Sequence, residues 1–273
     1  MEIIKEINQD ILDIDISLVP TMGALHEGHL SLIEEAKKLR LSTMVSIFVN
    51  KRQFNDEEDF NKYPQNIEKD IEILDSLDID YVFIPENKYI YPESGFDKIN
   101  SGNLGKKFEG NSRPGHFDGV LTVVNRLFQL IEPKVAIFGK KDAQQLFLIK
   151  EMINKRNYEI KIFEGLTVRD KLGLALSSRN TLLSEEGKEK AILIYKILNE
   201  AKKEFLQNRK IKVFQKFNSI YSKYDIKIDY LEILDSETFM TPMDNTENYI
   251  IIVAVYIDDL RLIDNIEFRL EKL

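Results

Sequence analysis

Two histidines lie three residues apart in a glycine-containing turn, within the segment Pro20-Thr-Met-Gly-Ala-Leu-His-Glu-Gly-His29. The turn lies between a predicted strand and a predicted helix, so the N-terminus of the helix offers unpaired N–H groups and a positive dipole to an anion. Glycine lets the backbone turn tightly and approach a ligand closely. His26 and His29 add donors that can stabilise charge as it grows on a phosphate. The pattern indicates an anion-binding turn with a role in phosphate chemistry.

Two other interpretations of this turn stay open. It is also compatible with a helix-capping turn that carries two surface histidines. A zinc site is disfavoured, because His26 and His29 have i, i+3 spacing instead of the i, i+4 spacing of the zinc-protease helix motif. The chain has no cysteine, so thiolate ligands are absent as well.

A second segment, Val45-Ser-Ile-Phe-Val-Asn-Lys-Arg-Gln-Phe54, delivers two amide side chains to the end of an apolar strand. Asn50 and Gln53 each offer donors and an acceptor that suit a small hydroxy acid. Taken alone, the segment favours an ordinary loop.

A third segment, Gly139-Lys-Lys-Asp-Ala-Gln-Gln145, again joins a predicted strand to a predicted helix. Lysine at a helix start can neutralise phosphate, Asp142 can cap the helix or hold ribose hydroxyls, and a glutamine can reach the substrate. An N-cap aspartate with solvated lysines explains the segment equally well.

A fourth segment, Val168 to Asn180, ends in Leu-Ser-Ser-Arg-Asn near the predicted domain boundary. The two hydroxyls of Ser177 and Ser178 and the Arg179 guanidinium form a candidate polyphosphate clamp. A boundary location would let the clamp close on a bound ligand. The alternative is a polar linker.

Strands and helices that alternate along the first part of the chain must position these segments. Apolar runs predict strands over 14–19, 44–49, 81–84, 135–138 and 159–163, and helical stripes predict helices between them. This order predicts an α/β domain with a parallel sheet. Ligands bind beyond the carboxyl ends of such strands, and most of the polar segments are found there.

The strict alternation of predicted strands and helices ends after Asn180. Ser184 is a plausible N-cap for a long charged helix to about residue 206, followed by a helix near 213–224 and strands near 230–234 and 250–257. Helices followed by strands predict a smaller α+β domain. The predicted domains are residues 1–177, which bind ligand, and residues 178–273, a possible lid.

Composition narrows the functional classes. The chain has 273 residues and a formal net charge of −8, which argues against a nucleic-acid partner. No apolar stretch approaches the roughly 20 residues of a membrane span, so no membrane partner is expected. The N-terminal sequence lacks the apolar region of a secretory signal, which favours a cytoplasmic location.

Taken together, the segments resemble the His-x-x-His nucleotidyltransferase superfamily and, more closely, the pantothenate synthetase (pantoate–β-alanine ligase) family. The resemblance runs from Pro20 to about Ser184 and rests on PTMGALHEGH, VSIFVNKRQF, EGNSRPGHFDGVLTVVNRLF, GKKDAQQL and LALSSRN. It implies a Rossmann-like N-terminal domain and condensation of (R)-pantoate with β-alanine through a pantoyl-adenylate, with release of AMP and pyrophosphate. It also implies ATP as a substrate, magnesium and a homodimer.

The resemblance further implies roles for individual residues. His29, His26 and Lys141 would be catalytic, Gln53, Gln145 and Asn50 would bind pantoate or β-alanine, and Asp70 is the candidate for magnesium. The ATP-binding residues would be Met22, Gly23, Ala24, Leu25, His26, Glu27, Gly28, His29, Gly139, Lys140, Lys141, Asp142, Val168, Leu176, Ser177, Ser178 and Arg179.

Three positions depart from the family pattern. Lys51 stands where the family usually has proline, Lys140 where it has glutamate, and Leu172 where it has an acidic residue. The first change could loosen the loop, the second should favour ATP binding, and the third puts a set of hydrogen bonds in doubt.

Two competing functions stay open. A different nucleotidyltransferase would share the histidine turn but would keep the adenylyl group in its product. A nucleotide-binding module would bind ATP without pantoate-dependent turnover. The acidic composition disfavours a fragment of a tRNA synthetase.

Overall fold

The protein is described by a computed structural model that covers residues 1–55, 57–209 and 214–270. Contacts divide the chain into two compact units, Met1–Lys140 with Gln145–Leu166, and Lys141–Gln144 with Thr167–Leu273. The domain limits predicted from the sequence, 1–177 and 178–273, stay a prediction. Within the described ranges, no helix combines the length and the apolar character needed to span a membrane.

A parallel sheet of six strands forms the centre of the first unit. Its strands are β1 (Glu2–Ile4), β2 (Ile16–Thr21), β3 (Ser42–Ile47), β4 (Tyr81–Phe83), β5 (Val135–Gly139) and β6 (Lys161–Gly165). Their order across the sheet is β1-β4-β3-β2-β5-β6. This sheet with its helices confirms the predicted α/β class.

Helices and short 3-10 helices connect the strands of this sheet. The described α-helices up to residue 166 are α1 (Gln9–Leu12), α2 (Glu27–Lys38), α3 (Glu57–Lys62), α4 (Ile67–Ser76), α5 (Asn87–Ile90), α6 (Glu109–Ser112), α7 (His116–Ile131) and α8 (Ala143–Arg156). Short 3-10 helices cover Lys51–Gln53, Leu104–Lys106 and Lys140–Asp142.

Helices cover both faces of the sheet because successive strand residues point to opposite sides. Val19 and Ile137 lie in one buried cluster with Ile33 of α2. The next residue along β5, Phe138, meets Phe128 of α7 edge to face, with ring centroids 6.5 Å apart. Burial on both faces explains why the strand sequences read as continuous apolar runs instead of an alternating pattern.

The order of the strands reverses beside β2. The chain runs outward from β2 through β3 to β4, then returns to β5 on the other side of β2, where Ser17 pairs with Val135. In open parallel sheets the crevice beyond the carboxyl ends at such a reversal is the usual ligand site. Here those ends lead into the histidine turn and into Gly139.

In its described residues, the second unit combines two α-helices with an antiparallel sheet. The elements are α9 (Glu185–Asn208), α10 (Phe214–Tyr221), β7 (Lys227–Asp235), β8 (Asn248–Ile257) and β9 (Leu260–Arg269), with strand order β7-β8-β9. Ile197 of α9 and Ile251 of β8 belong to its buried core. Ser184 Oγ accepts the Gly187 N–H at 2.9 Å, as expected of an N-cap. The smaller α+β domain is confirmed.

The sequence did not predict several elements. Strands β1 and β9 were missed, and so were the short helices α5 and α6 between β4 and β5. Strand β6 begins two residues later than the predicted 159–163 strand. Of the helix predicted near 213–224, residue 213 lies outside the described residues.

Candidate active site

The turn after β2 has a left-handed backbone at two consecutive residues. Gly23 has φ +79° and Ala24 has φ +51°. Thr21 supports the start of the turn, because its hydroxyl donates to Ser46 O at 2.8 Å and accepts from Gly23 N at 3.1 Å. The chain therefore reverses tightly before helix α2 begins.

His26 and His29 meet at the N-terminus of α2. His26 is the N-cap, and its Nδ1 accepts the Gly28 N–H at 3.0 Å. The His29 N–H donates to His26 O at 2.7 Å, and the two imidazole centroids lie 4.2 Å apart. The capping interpretation is therefore correct for His26, and it leaves the rings side by side at a helix N-terminus, where an anion is stabilised.

Asp70 of α4 holds this turn from behind. Its side chain is buried, and its two carboxylate oxygens accept the Ala24 and Leu25 N–H groups, each at 2.8 Å. A Cβ on Gly23 would lie 2.8 Å from Asp70 Oδ2, so glycine is required there for space as well as for its positive φ. Backbone hydrogen bonds to a buried carboxylate give Asp70 a structural role.

A magnesium site on the protein does not fit these contacts. Both oxygens of Asp70 are already directed at backbone amides. Across residues 1–55, 57–209 and 214–270, no group of three or more His, Cys, Asp or Glu side chains could hold a metal ion. The magnesium role of Asp70 stays a prediction from the resemblance.

Gln53 reaches the histidine turn from the 3-10 helix Lys51–Gln53. Its Nε2 lies 2.8 Å from Met22 Sδ, and its Oε1 accepts from Asn50 Nδ2 at 3.1 Å. Three predicted site residues, Met22, Asn50 and Gln53, are thus joined by direct hydrogen bonds. Gln145, in the first turn of α8, is half-buried and is not joined to them.

Asn50 is buried to 1% exposure, and its side chain is saturated within the protein. Its Nδ2 donates to Gln53 Oε1 and to Gly119 O, both at 3.1 Å. Its Oδ1 accepts from Arg52 N at 3.3 Å and from the Tyr91 hydroxyl at 2.8 Å. This arrangement favours a positioning role for Asn50 over the substrate contact predicted for it.

The backbone carbonyl of Gln53 is held by the segment that leads into α7. It accepts from His116 Nδ1 at 2.7 Å and from Arg113 Nη2 at 3.4 Å, while Arg113 Nη1 lies 3.1 Å from His116 Nε2. His116 must carry its proton on Nδ1, because a carbonyl only accepts and a guanidinium only donates. A Cβ on Gly119 would lie 2.2 Å from Arg52 O, so helix and 3-10 helix are in direct contact.

Lys140 faces a carboxylate instead of standing alone. Its Nζ lies 3.6 Å from Glu164, which Lys150 also pairs at 2.6 Å. Burial opposes ionisation of Glu164, but Lys150 and Lys140 together lower the pKa of this carboxyl. The positive charge of Lys140 is therefore partly offset, and its expected benefit to ATP binding stays a prediction. Gly139 ends β5 beside it.

Within the second unit, Lys141 is held by strand β9. Asn265 Nδ2 donates to Lys141 O at 2.8 Å, and Lys141 Nζ lies 3.7 Å from Asp142 Oδ1. Asn265 is buried, and its backbone carbonyl accepts from Arg169 Nη2 at 3.0 Å. A strand about 120 residues away in sequence therefore fixes the backbone of a proposed phosphate ligand.

A partly buried ion pair anchors this part of β9. Arg169 binds Asp264 through two hydrogen bonds of 2.6 and 2.8 Å, donates to Gly173 O, and lies 4.2 Å from the centre of the Tyr195 ring. Burial raises the pKa of the Asp264 carboxyl, and the Arg169 guanidinium opposes that shift. Such a bidentate pair fixes the orientation of both side chains.

The segment from Val168 to Arg179 folds back on itself. Leu176 N donates to Val168 O at 3.0 Å, so two of the residues predicted to bind ATP are neighbours. Ser177 caps a 3-10 helix, Ser178–Leu182, and its Oγ accepts from Arg179 N at 3.3 Å. Leu172 is one of the three positions that differ from the family pattern. Its backbone N–H donates to Asp170 Oδ1 at 2.8 Å, and its side chain is exposed.

Sequence reasoning missed Tyr91, His116, Gly119 and Asn265. His116 and Gly119 lie inside the quoted RPGHFDGV motif, so the motif itself carried their signal. Tyr91 and Asn265 act on residues far away along the chain, which no local pattern reveals.

The chain is similar to one protein family along nearly its whole length. A family model described as pantoate–β-alanine ligase matches residues 1–267. Among curated relatives, the pantothenate synthetase of Vesicomyosocius okutanii is 45% identical over 253 residues, 93% of this chain and 89% of that protein. The pantothenate synthetase of Thermosipho africanus is 41% identical over 270 residues, 97% of each chain.

Solved structures agree with the relatives. The pantothenate synthetase from Thermus thermophilus aligns with TM-score 0.86 at 35% identity, over 97% of this chain and 99% of that one. The pantoate–β-alanine ligase from Francisella tularensis, complexed with β-γ ATP and β-alanine, aligns with TM-score 0.81 at 38% identity over 97% of each chain. The chain therefore belongs to the pantoate–β-alanine ligase family.

Proposed function

We propose that this chain condenses (R)-pantoate with β-alanine to form pantothenate, using ATP and releasing AMP and pyrophosphate. Membership of the family supports this activity, as do the ligands named for the Francisella tularensis protein. The observation that carries the proposal is the Gln53 carboxamide, fixed beside a histidine turn at a helix N-terminus. A donor for a hydroxy acid thus adjoins a site suited to phosphate.

The chemistry follows from the need to activate a carboxylate. A carboxylate oxygen of pantoate attacks the α-phosphorus of ATP, the bond to the β-phosphate breaks, and pyrophosphate leaves. The β-alanine amine then attacks the acyl carbon, the C–O bond to AMP breaks, and the nitrogen loses its extra proton. No protein nucleophile is needed, so the protein acts by positioning and by stabilising charge.

The residues divide into three roles under this proposal. The turn Met22–His29 contacts the ATP phosphates, with His29, His26 and Lys141 stabilising the charge that develops on them. Gln53 and Gln145 hold pantoate, and Asn50 positions Gln53. Gly139, Lys140, Asp142, Val168, Leu176, Ser177, Ser178 and Arg179 are the remaining proposed ATP contacts. Magnesium would accompany ATP, and a cytoplasmic homodimer belongs to the same proposal.

The test is to measure AMP and pyrophosphate while ATP and magnesium are supplied with pantoate, with β-alanine, or with both. We expect AMP and pantothenate in equal amounts only with both substrates. Product that retains the adenylyl group would instead favour another nucleotidyltransferase. ATP binding without AMP under every combination would refute the ligase activity.

A further inference from the structure

Backbone groups determine how the Asn50 amide is oriented. Arg52 N can only donate, and it lies 3.3 Å from Asn50 Oδ1. Gly119 O can only accept, and it lies 3.1 Å from Asn50 Nδ2. Oxygen and nitrogen are therefore assigned without ambiguity. The Tyr91 hydroxyl, 2.8 Å from Oδ1, must donate to it.

The orientation of Asn50 dictates that of Gln53. Asn50 Nδ2 faces Gln53 at 3.1 Å, so the atom that it meets must be the acceptor Oε1. The Gln53 amino group consequently points to Met22 Sδ. A thioether is a weak acceptor, so an oxygen atom of a ligand can replace it with a gain in hydrogen-bond strength. Gln53 is thereby a donor to a carboxylate or hydroxyl oxygen.

Tyr91 is itself rigidly held. It is 9% exposed and follows α5, where the Arg52 guanidinium lies 4.6 Å from its ring centre and the Phe96 ring 5.2 Å from it. Burial raises the pKa of its phenol, so the hydroxyl keeps its proton across the working pH range. Its hydrogen bond crosses 41 residues of sequence to reach Asn50.

We infer that Tyr91 is a positioning residue for the hydroxy-acid substrate: its hydroxyl fixes the Asn50 amide, and through it the N–H donor of Gln53. The inference rests on the proposed function for the identity of the substrate as pantoate. The orientation of Gln53 itself does not depend on that identity.

The test compares Tyr91→Phe with Tyr89→Phe. Tyr89 lies two residues away on α5, and its hydroxyl accepts the Ile7 N–H at 2.9 Å, so both variants lose one hydrogen-bonded hydroxyl. We expect Tyr91→Phe to raise the KM for pantoate about 3- to 10-fold, the usual effect of one neutral hydrogen bond. The KM for ATP should stay the same in both variants. Equal KM values for pantoate in the two variants would overturn the inference.

A second readout needs no turnover. The side-chain NH₂ resonances of Gln53, assigned by their loss in Gln53→Glu, should shift in Tyr91→Phe and stay in place in Tyr89→Phe. If the parent protein releases no AMP, the proposed function fails while these resonances still decide the role of Tyr91. Unshifted Gln53 resonances in Tyr91→Phe would refute it.

Discussion

The carboxylate of Asp70 accepts the backbone amide of Leu25 at 2.8 Å, and its other oxygen accepts the preceding amide. Helix α4 therefore holds the turn that delivers His26 and His29. The turn needs such support because Ala24 has a left-handed backbone, which non-glycine residues adopt at a cost.

Replacing Asp70 with asparagine tests this support. One carboxylate oxygen becomes an amino group that faces a backbone N–H, so a hydrogen bond is lost and two donors are opposed. We expect a loss of about 1–3 kcal/mol in the free energy of unfolding, together with a lower kcat. Chemical denaturation and steady-state kinetics measure the two effects.

Asp75→Asn is the matched control, since Asp75 is an exposed residue on the same helix. Equal stability and activity of the two variants would contradict the role of Asp70 in the turn. A change confined to the dependence on magnesium concentration would instead favour the metal role predicted from the resemblance.

Asn265→Ala should weaken ATP use without unfolding the second unit. The substitution removes the side-chain hydrogen bond to Lys141 O. It leaves the Arg169–Asp264 pair in place, and also the backbone carbonyl of residue 265, which accepts from Arg169. We expect the KM for ATP to rise about 3- to 10-fold, as for the loss of one hydrogen bond. Asn248→Ala, which removes a hydrogen bond to Glu237 from β8, is the control. An unchanged KM for ATP would show that β9 does not position Lys141.

Gly119→Ala should damage both stability and activity. The added Cβ would lie 2.2 Å from Arg52 O and 2.8 Å from Gln53 N, so α7 and the 3-10 helix must separate. Overpacking of this kind costs about 1–3 kcal/mol, and the displaced Gln53 should raise the KM for pantoate. Gln129→Ala, at an exposed position of α7, is the control. Parent-like kinetics in Gly119→Ala would contradict the fixed position of Gln53.

Removal of a proposed charge-stabilising donor should slow the reaction more than it weakens binding. We expect His29→Ala or Lys141→Ala to lower kcat by about 10²–10³, the usual effect of one transition-state donor. Lys188→Ala, in the first turn of α9, should be neutral because its ion pair with Glu185 is exposed. Activity of His29→Ala within a few-fold of the parent would exclude the proposed role of that residue.

The elements with strong periodicity could be predicted from the sequence. The pattern of apolar residues predicts strands β2 and β3 and helix α9, because most of their buried positions are apolar. Strand β9 could not be read in this way, since two of its consecutive buried residues, Asp264 and Asn265, are polar. Strand β1 has only three residues at a sheet edge.

The residues of the candidate site also fall into those that could be predicted from the sequence and those that could not. The histidine turn and Gln53 could be predicted because their residue types and spacing lie within single segments. Tyr91 and Asn265 could not, because their partners lie 41 and 124 residues away in sequence. Asp70 was named for magnesium alone, because its hydrogen bond to the histidine turn spans 46 residues. Only folding brings each of these side chains to its own partner, and each acts by holding another residue in place.

The most direct test of the acyl-adenylate route follows the oxygen atoms of pantoate. Pantoate labelled with ¹⁸O in its carboxylate is incubated with ATP, magnesium and β-alanine, and the products are analysed by mass spectrometry. We expect one ¹⁸O atom in AMP and none in pyrophosphate, because the oxygen that attacks the α-phosphorus leaves with AMP. Unlabelled AMP formed together with pantothenate would contradict the acyl-adenylate route.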